Sequence, residues 1–246
     1  MNNIKAIFIK QFQSMLKNPV LIGQAILYLA IVLVLTFFIG GPPEDCDSCI
    51  PAYVCAQCLE DNPPLDTPNP SLAGLFTVMF VGLALVGAAS ALVIEDKTTQ
   101  NLRFMSMARV KPGQYMLGTT TAMFSLIFVI LICYALSGRY LGIDMLWFMA
   151  VTMSGAIVSI LLGIVMALSK APALTTPISL FLGMGPMLST FNETLARGLR
   201  FTYTQQINLA VSDLSGDLSS NFIIIGINGA VTLLLFIIMY RKGVLG

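Results

Sequence analysis

The 246-residue sequence contains no histidine. That absence removes Ser–His and Cys–His nucleophilic catalysis, His-ligated zinc chemistry and haem ligation by histidine. An intramembrane serine protease built on a Ser–His pair is excluded with them. Charge is scarce too: Asp, Glu, Lys and Arg together make up 10%, where a soluble domain carries roughly 25%. The chain is therefore an integral membrane protein. Its net charge of +1 leaves no basic patch for a phosphate backbone, so no nucleic-acid partner is expected. No GxxxxGK[ST] sequence occurs, so the chain has no P-loop of its own for ATP. Fixed charge is nearly absent from the apolar runs, which argues against a proton relay built on buried carboxylates.

What is present is long apolar runs with a polar punctuation of their own. Residues 1–17, MNNIKAIFIKQFQSMLK, place Ile4, Phe8, Phe12, Met15 and Leu16 close to one helical face, with Lys5, Lys10 and Lys17 beside it. A basic amphipathic helix of this kind lies in the membrane interface. The run after it is long enough to span and lacks a small-residue cleavage site, so the segment reads as mature protein and not as a signal peptide. Spans are expected at 20–39, 72–94, 115–136, 146–168, 173–188 and 222–240. About 20 helical residues cross a bilayer core, and the fifth run is short by that measure. With the N-terminus inside, ten Lys and Arg fall on the inner side and three, Arg139, Arg197 and Arg200, on the outer. That asymmetry puts both termini in the cytoplasm.

Two polar stretches interrupt this pattern in specific ways. The first, 95–113, follows the second span and opens with Glu95 and Asp96, expected in the first turn of a short helix where acidic groups favour the helix dipole. Leu102, Phe104, Met105, Met107 and Ala108 then supply an apolar surface, with Arg103, Arg109 and Lys111 beside it. Lys111-Pro112-Gly113 breaks the helix before the third span. The second stretch, 189–220, is too apolar for a free loop and too polar for a span. It holds Gly185 and Pro186 at its approach, a helix expected over 192–200, and then Tyr203, Thr204 and Gln205. Irregular backbone at membrane depth is tolerated only where protein or water covers it.

In order and spacing these features resemble the permeases of ABC-2 type exporters over nearly the whole chain. The resemblance implies an all-α integral membrane fold in one domain, 1–246. Six transmembrane helices are expected with an interfacial elbow helix (1–17), a cytoplasmic coupling-helix region (95–113) and an outer re-entrant helical hairpin (189–220) before the last span. It implies that Glu95, Asp96, Asn101, Leu102, Arg103, Phe104 and Arg109 couple the spans to a separate ATPase. Gly185, Pro186, Asn192 and Tyr203 are the corresponding hairpin and gate residues. Two cytoplasmic ABC ATPase subunits, which hold ATP and Mg, and a second permease copy or paralogue are the implied partners in a bacterial plasma membrane. The chain itself is then a transport subunit and not an enzyme. A lining of Met, Phe and Leu suits a hydrophobic or amphipathic cargo, such as a bacteriocin-like peptide or a drug-like molecule. The alternative is a non-enzymatic membrane receptor or immunity protein whose outer loop binds a ligand or metal.

The first outer loop, 44–70, departs from the short connection of compact family members. It is acidic, Pro-rich and carries Cys46-x-x-Cys49 and Cys55-x-x-Cys58. On the outer face disulfides persist, and nested pairing of Cys46 with Cys58 and Cys49 with Cys55 would staple a small hairpin. Four thiolates in two CxxC pairs also suit tetrahedral zinc, although zinc ribbons space their pairs more widely. Cys133, inside the third span, reads as a small apolar residue.

Overall fold

A computed structural model describes residues 2–17, 23, 26–27, 29–31, 33–34, 72–99, 101, 112–137, 140, 142–169, 172–189, 192–214, 216 and 218–245. Helices account for nearly all of them, and no strand occurs among the described residues. This follows from the solvent: in hydrocarbon each backbone N–H and C=O must be satisfied within its own segment, and a helix does that locally.

Helix α1 is Asn2–Lys17. Its inward face is set by Ile7, Gln11 and Met15, all buried, at the i, i+4, i+8 spacing that stacks side chains on one stripe. Helix α2 runs continuously over 72–98, an α-helical Leu72–Met79 and Leu85–Thr98 joined by a π-turn at Phe80–Ala84. Helices α3 (Pro112–Ser137) and α4 (Ile143–Leu168) follow. A 3-10 turn at Pro172–Leu174 leads into α5, Thr175–Ser189. Two short helices come next, α6 (Glu193–Leu199) and α7 (Tyr203–Ser212), before the terminal α8, Ser219–Leu245.

Four of these helices are long and apolar enough to cross a membrane: Gly74–Thr98, Gly113–Leu136, Ile143–Leu168 and Ser219–Met239. Among the described residues, these four match four of the six expected spans. The run 20–39 is described only at scattered positions. At 173–188 the helix itself is the 15-residue α5, about 22 Å long at 1.5 Å per residue, against a hydrocarbon core of about 30 Å.

Glycines set the closest approaches. On α4, a Cβ at Gly163 would lie 2.5 Å from the Val86 carbonyl oxygen, and one at Gly155 would lie within 3.7 Å of Val81. The same Cβ at Gly163 would lie 2.7 Å from the Ala89 Cβ, so the advance of eight residues from Gly155 to Gly163 matches the advance from Val81 to Ala89, and the two helices run side by side in the same direction. On the other side of α2, a Cβ at Gly82 would lie 2.8 Å from the Leu182 carbonyl group, and one at Gly183 would lie 2.6 Å from the Leu83 Cβ. Pro186 has no N–H, so Leu182 loses its i→i−4 partner. The carbonyl so released is the one that faces the π-turn of α2. Small residues permit this backbone contact, which is how helices associate where the solvent offers no hydrophobic drive.

Candidate functional site

Two polar constellations stand out, one at the C-terminal end of α2 and one where α7 packs against α4 and α5. The first is centred on Asp96. This carboxylate is 4% exposed, and its two oxygens take four donors from two helices and the segment that follows α2. Oδ1 accepts from Lys10 Nζ at 2.5 Å and Asn101 Nδ2 at 3.4 Å. Oδ2 accepts from Gln11 Nε2 at 2.5 Å and Tyr115 Oη at 3.0 Å. Lys10 and Gln11 come from α1 and Tyr115 from the first turns of α3, so one side chain ties the interfacial helix to the end of α2 and the start of α3. Gln11 and Tyr115 are each 1% exposed. Lys10 keeps 44% of its side chain accessible, its stem lying along the protein while its ammonium reaches back to Asp96. A buried carboxylate is tolerable only when paired and hydrogen-bonded, and here the pairing is complete. These four contacts hold the Asp96 side chain in place.

Glu95, next to it, is exposed. Its carbonyl closes the end of α2 by accepting from Thr99 N at 2.9 Å, Thr99 Oγ1 at 2.7 Å and Thr98 Oγ1 at 3.0 Å. Thus of the expected coupling residues Glu95 faces outward, Asp96 is sequestered and Asn101 is half-buried against it. Leu102, Arg103, Phe104 and Arg109 lie outside the described residues. Lys10, Gln11 and Tyr115 were not expected at this site. Their only sequence signal is that Lys10 and Gln11 share a turn of an amphipathic helix, and nothing local links that turn to a residue 85 positions away.

The second constellation is the seat of α6 and α7. Asn192 caps α6, its Oδ1 accepting from Thr194 N at 2.9 Å and Leu195 N at 3.3 Å. Thr202 caps α7 through Gln205 N at 3.4 Å. Two such caps replace the backbone partners that a helix start lacks. Helix α7 buries Tyr203, Thr204, Gln205, Gln206 and Asn208, so its polar groups need partners inside the bundle. Tyr203 Oη meets Ser159 Oγ of α4 at 2.8 Å. Ser189 Oγ of α5 donates to Gln205 Oε1 at 2.9 Å, and Gln206 Nε2 donates to the Arg200 carbonyl. From α8, Asn228 Nδ2 donates to the Phe201 carbonyl at 2.9 Å. Of the expected gate residues, Gly185 and Pro186 are buried; a Cβ on Gly185 would lie 3.1 Å from the Leu199 side chain, where α5 meets α6. Ser159, Ser189 and Asn228 are additional members that sequence reasoning did not single out for this site.

Among the described residues no group of three or more Cys, Asp or Glu is placed to hold a metal. Cys46, Cys49, Cys55 and Cys58 lie outside the described residues. The described cysteine, Cys133, is a free thiol in α3.

No curated protein matches the chain significantly. The family model for the ABC-2 type transporter matches residues 2–191, which takes in α1, the Asp96 cluster and every helix through α5. A several-helix membrane domain matched over three quarters of its length, the chain belongs to the ABC-2 type transporter family: it is a transporter permease, a membrane transport subunit that is not itself an enzyme.

Proposed function

We propose that this permease works in an ATP-driven exporter, moving a hydrophobic or amphipathic cargo out of the cell. Family membership implies an ABC ATPase partner, and ATP with Mg belongs to that partner, since the chain has no P-loop. The proposed complex contains two ATPase subunits and two permeases, this chain with a second copy or a paralogue. Both termini are placed in the cytoplasm on the Lys and Arg asymmetry.

The observation that carries the coupling role is the Asp96 cluster. It holds α1, α2 and α3 together on both flanks of the polar segment 100–111. An ATPase docked on that segment pushes on helices that are cross-linked at their bases, so its closing motion moves them as a unit. Glu95, Asn101, Leu102, Arg103, Phe104 and Arg109 form the docking side, and Asp96 fixes the segment's root. At the other end, α6 and α7 form a re-entrant hairpin. Gly185, Pro186, Asn192 and Tyr203 position it as an outer gate, released when the Tyr203–Ser159 and Ser189–Gln205 bonds part.

The test is purification of the tagged chain from its native host in mild detergent, with identification of what accompanies it and transport measured in vesicles. A stoichiometric ATPase is expected, and Glu95→Lys, Arg103→Glu or deletion of 100–109 should abolish transport while the chain still inserts and folds. A chain that purifies alone from cells expressing the ATPase, with other complexes preserved, overturns the coupling reading in favour of a membrane receptor or immunity protein.

A further inference from the structure

A cavity of about 590 Å³ opens between the first turn of α4 and the segment joining α7 to α8. That volume is within the range of sites for small organic ligands, about 300–1,000 Å³. It lies at the end of α4 remote from Asp96. Asp144 stands in the first turn of α4, whereas Asp96 lies beyond the far end of the α2–α4 contact. Roughly 26 residues of helix, or about 40 Å, separate the two levels.

The lining combines three chemical elements. Leu214 and Leu218 make an apolar wall. Trp147 and Phe222 form an open aromatic corner, their ring centroids 6.5 Å apart and their planes inclined at 54°. Asp144 supplies a carboxylate, which is exposed and forms no ion pair with a described cation. A second carboxylate stands behind the wall: a Cβ on Gly216, which lines the cavity, would lie 2.6 Å from Asp213 Oδ2. An aromatic face attracts a cation through its quadrupole, and a carboxylate beside it selects the same sign. An anion would meet the Asp144 carboxylate and the negative faces of two rings. A neutral polar ligand would gain nothing from the corner.

We propose that this cavity binds the head of a cationic amphiphile, an alkylated ammonium carried on a hydrocarbon chain. The ammonium sits against Trp147 and Phe222 with Asp144 as counter-ion, and the chain leaves along Leu214 and Leu218 toward the exposed apolar side chains Ile143 and Leu146. The site is independent of ATPase coupling, so it stands or falls separately from the reading of Asp96.

The chain contains a single tryptophan, Trp147, so its fluorescence reports this cavity without labelling. The permease is reconstituted in phosphatidylglycerol nanodiscs and titrated with dodecyltrimethylammonium, with dodecyl sulfate and dodecyl maltoside as controls. A saturable change in Trp147 emission is expected from the ammonium compound alone. Asp144→Asn, a change at an exposed side chain that leaves the fold intact, should weaken it about fivefold. Phe222→Leu should weaken it about threefold by removing one face of the corner. Repeating the titration in phosphatidylcholine nanodiscs separates the two sources of such a head group. Emission already at its saturated value identifies a resident lipid, and an undiminished titration identifies a free amphiphile. Equal responses to all three detergents, or an unchanged affinity in Asp144→Asn, overturn the proposal.

Discussion

Replacing Asp96 by alanine should be among the most damaging single changes in the described part of the chain, and the reason lies less in its ion pair than in its neutral partners. The Lys10 ammonium is bonded to Asp96 at 2.5 Å, yet 44% of the lysine side chain is accessible. On losing the carboxylate it turns to water, so the lysine is left with no unmet buried charge. Gln11 and Tyr115 have no such escape. Both are 1% exposed, and Asp96→Ala leaves the Gln11 amide and the Tyr115 hydroxyl without their acceptor, at about 1–3 kcal/mol each. The sum centres on about 4 kcal/mol. For a chain of this size each kcal/mol moves the midpoint by about 2–4 °C, so the expected fall in Tm is about 8–16 °C. Asp96→Asn should cost much less, about 1–2 kcal/mol. The new amide keeps one acceptor oxygen, and Gln11 can turn its own carbonyl toward the new N–H. Lys10→Met should cost less than Asp96→Ala, about 1–3 kcal/mol, since it takes the cation from a buried carboxylate that keeps Gln11, Tyr115 and Asn101 as donors. The assay is thermal unfolding in nanodiscs followed by Trp147 emission, which lies at the far end of the bundle and reports global loss of structure. If Lys10→Met proves as damaging as Asp96→Ala, the energy resides in the ion pair and the reasoning fails. If Asp96→Ala unfolds like the unmodified chain, the cluster does not form.

Three further expectations rest on different contacts. Gly82→Ala drives a methyl to 2.8 Å from the Leu182 backbone, which cannot rotate aside, so a loss of about 3 kcal/mol is expected. Gly87→Ala, in the same helix with nothing within 4 Å, should be neutral or stabilising by up to about 1 kcal/mol; similar melting of the two variants would contradict the α2–α5 contact. Ser159→Ala should destabilise more than Tyr203→Phe, by about 1 kcal/mol, because it strands the buried Tyr203 hydroxyl, whereas Ser159 can turn to a carbonyl of its own helix. A double-mutant cycle in the same melting assay checks this, and the opposite ranking refutes it. Asn192→Ala removes the cap of α6 at a cost of about 1 kcal/mol, which should appear as faster hydrogen exchange at the Thr194 and Leu195 amides with little change elsewhere.

The apolar runs settle much of the architecture by themselves. The sequence run 115–136 lies within Pro112–Ser137, and 146–168 lies within Ile143–Leu168, because a stretch of more than 20 apolar residues in lipid has one local way to satisfy its backbone. The absence of histidine and of a P-loop likewise limits the chemistry without any coordinates. Polar residues carry no such local instruction. Asp96 reads in sequence as an exposed acid beside Glu95, and only the fold brings Lys10 and Gln11 across more than 80 residues to bury it. Tyr203 and Gln205 read in sequence as part of an outer hairpin, but their partners Ser159 and Ser189 are supplied only by α4 and α5. The π-turn at Phe80–Ala84 is equally silent in sequence, and so is the Leu182–Gly183 backbone of another helix that packs against its Gly82. Hydrophobic length is a property of one segment, so the sequence alone determined where the long helices run. The pairing of a buried polar group is a property of two or more segments, and it was decided only when tertiary packing chose which ends of which helices meet.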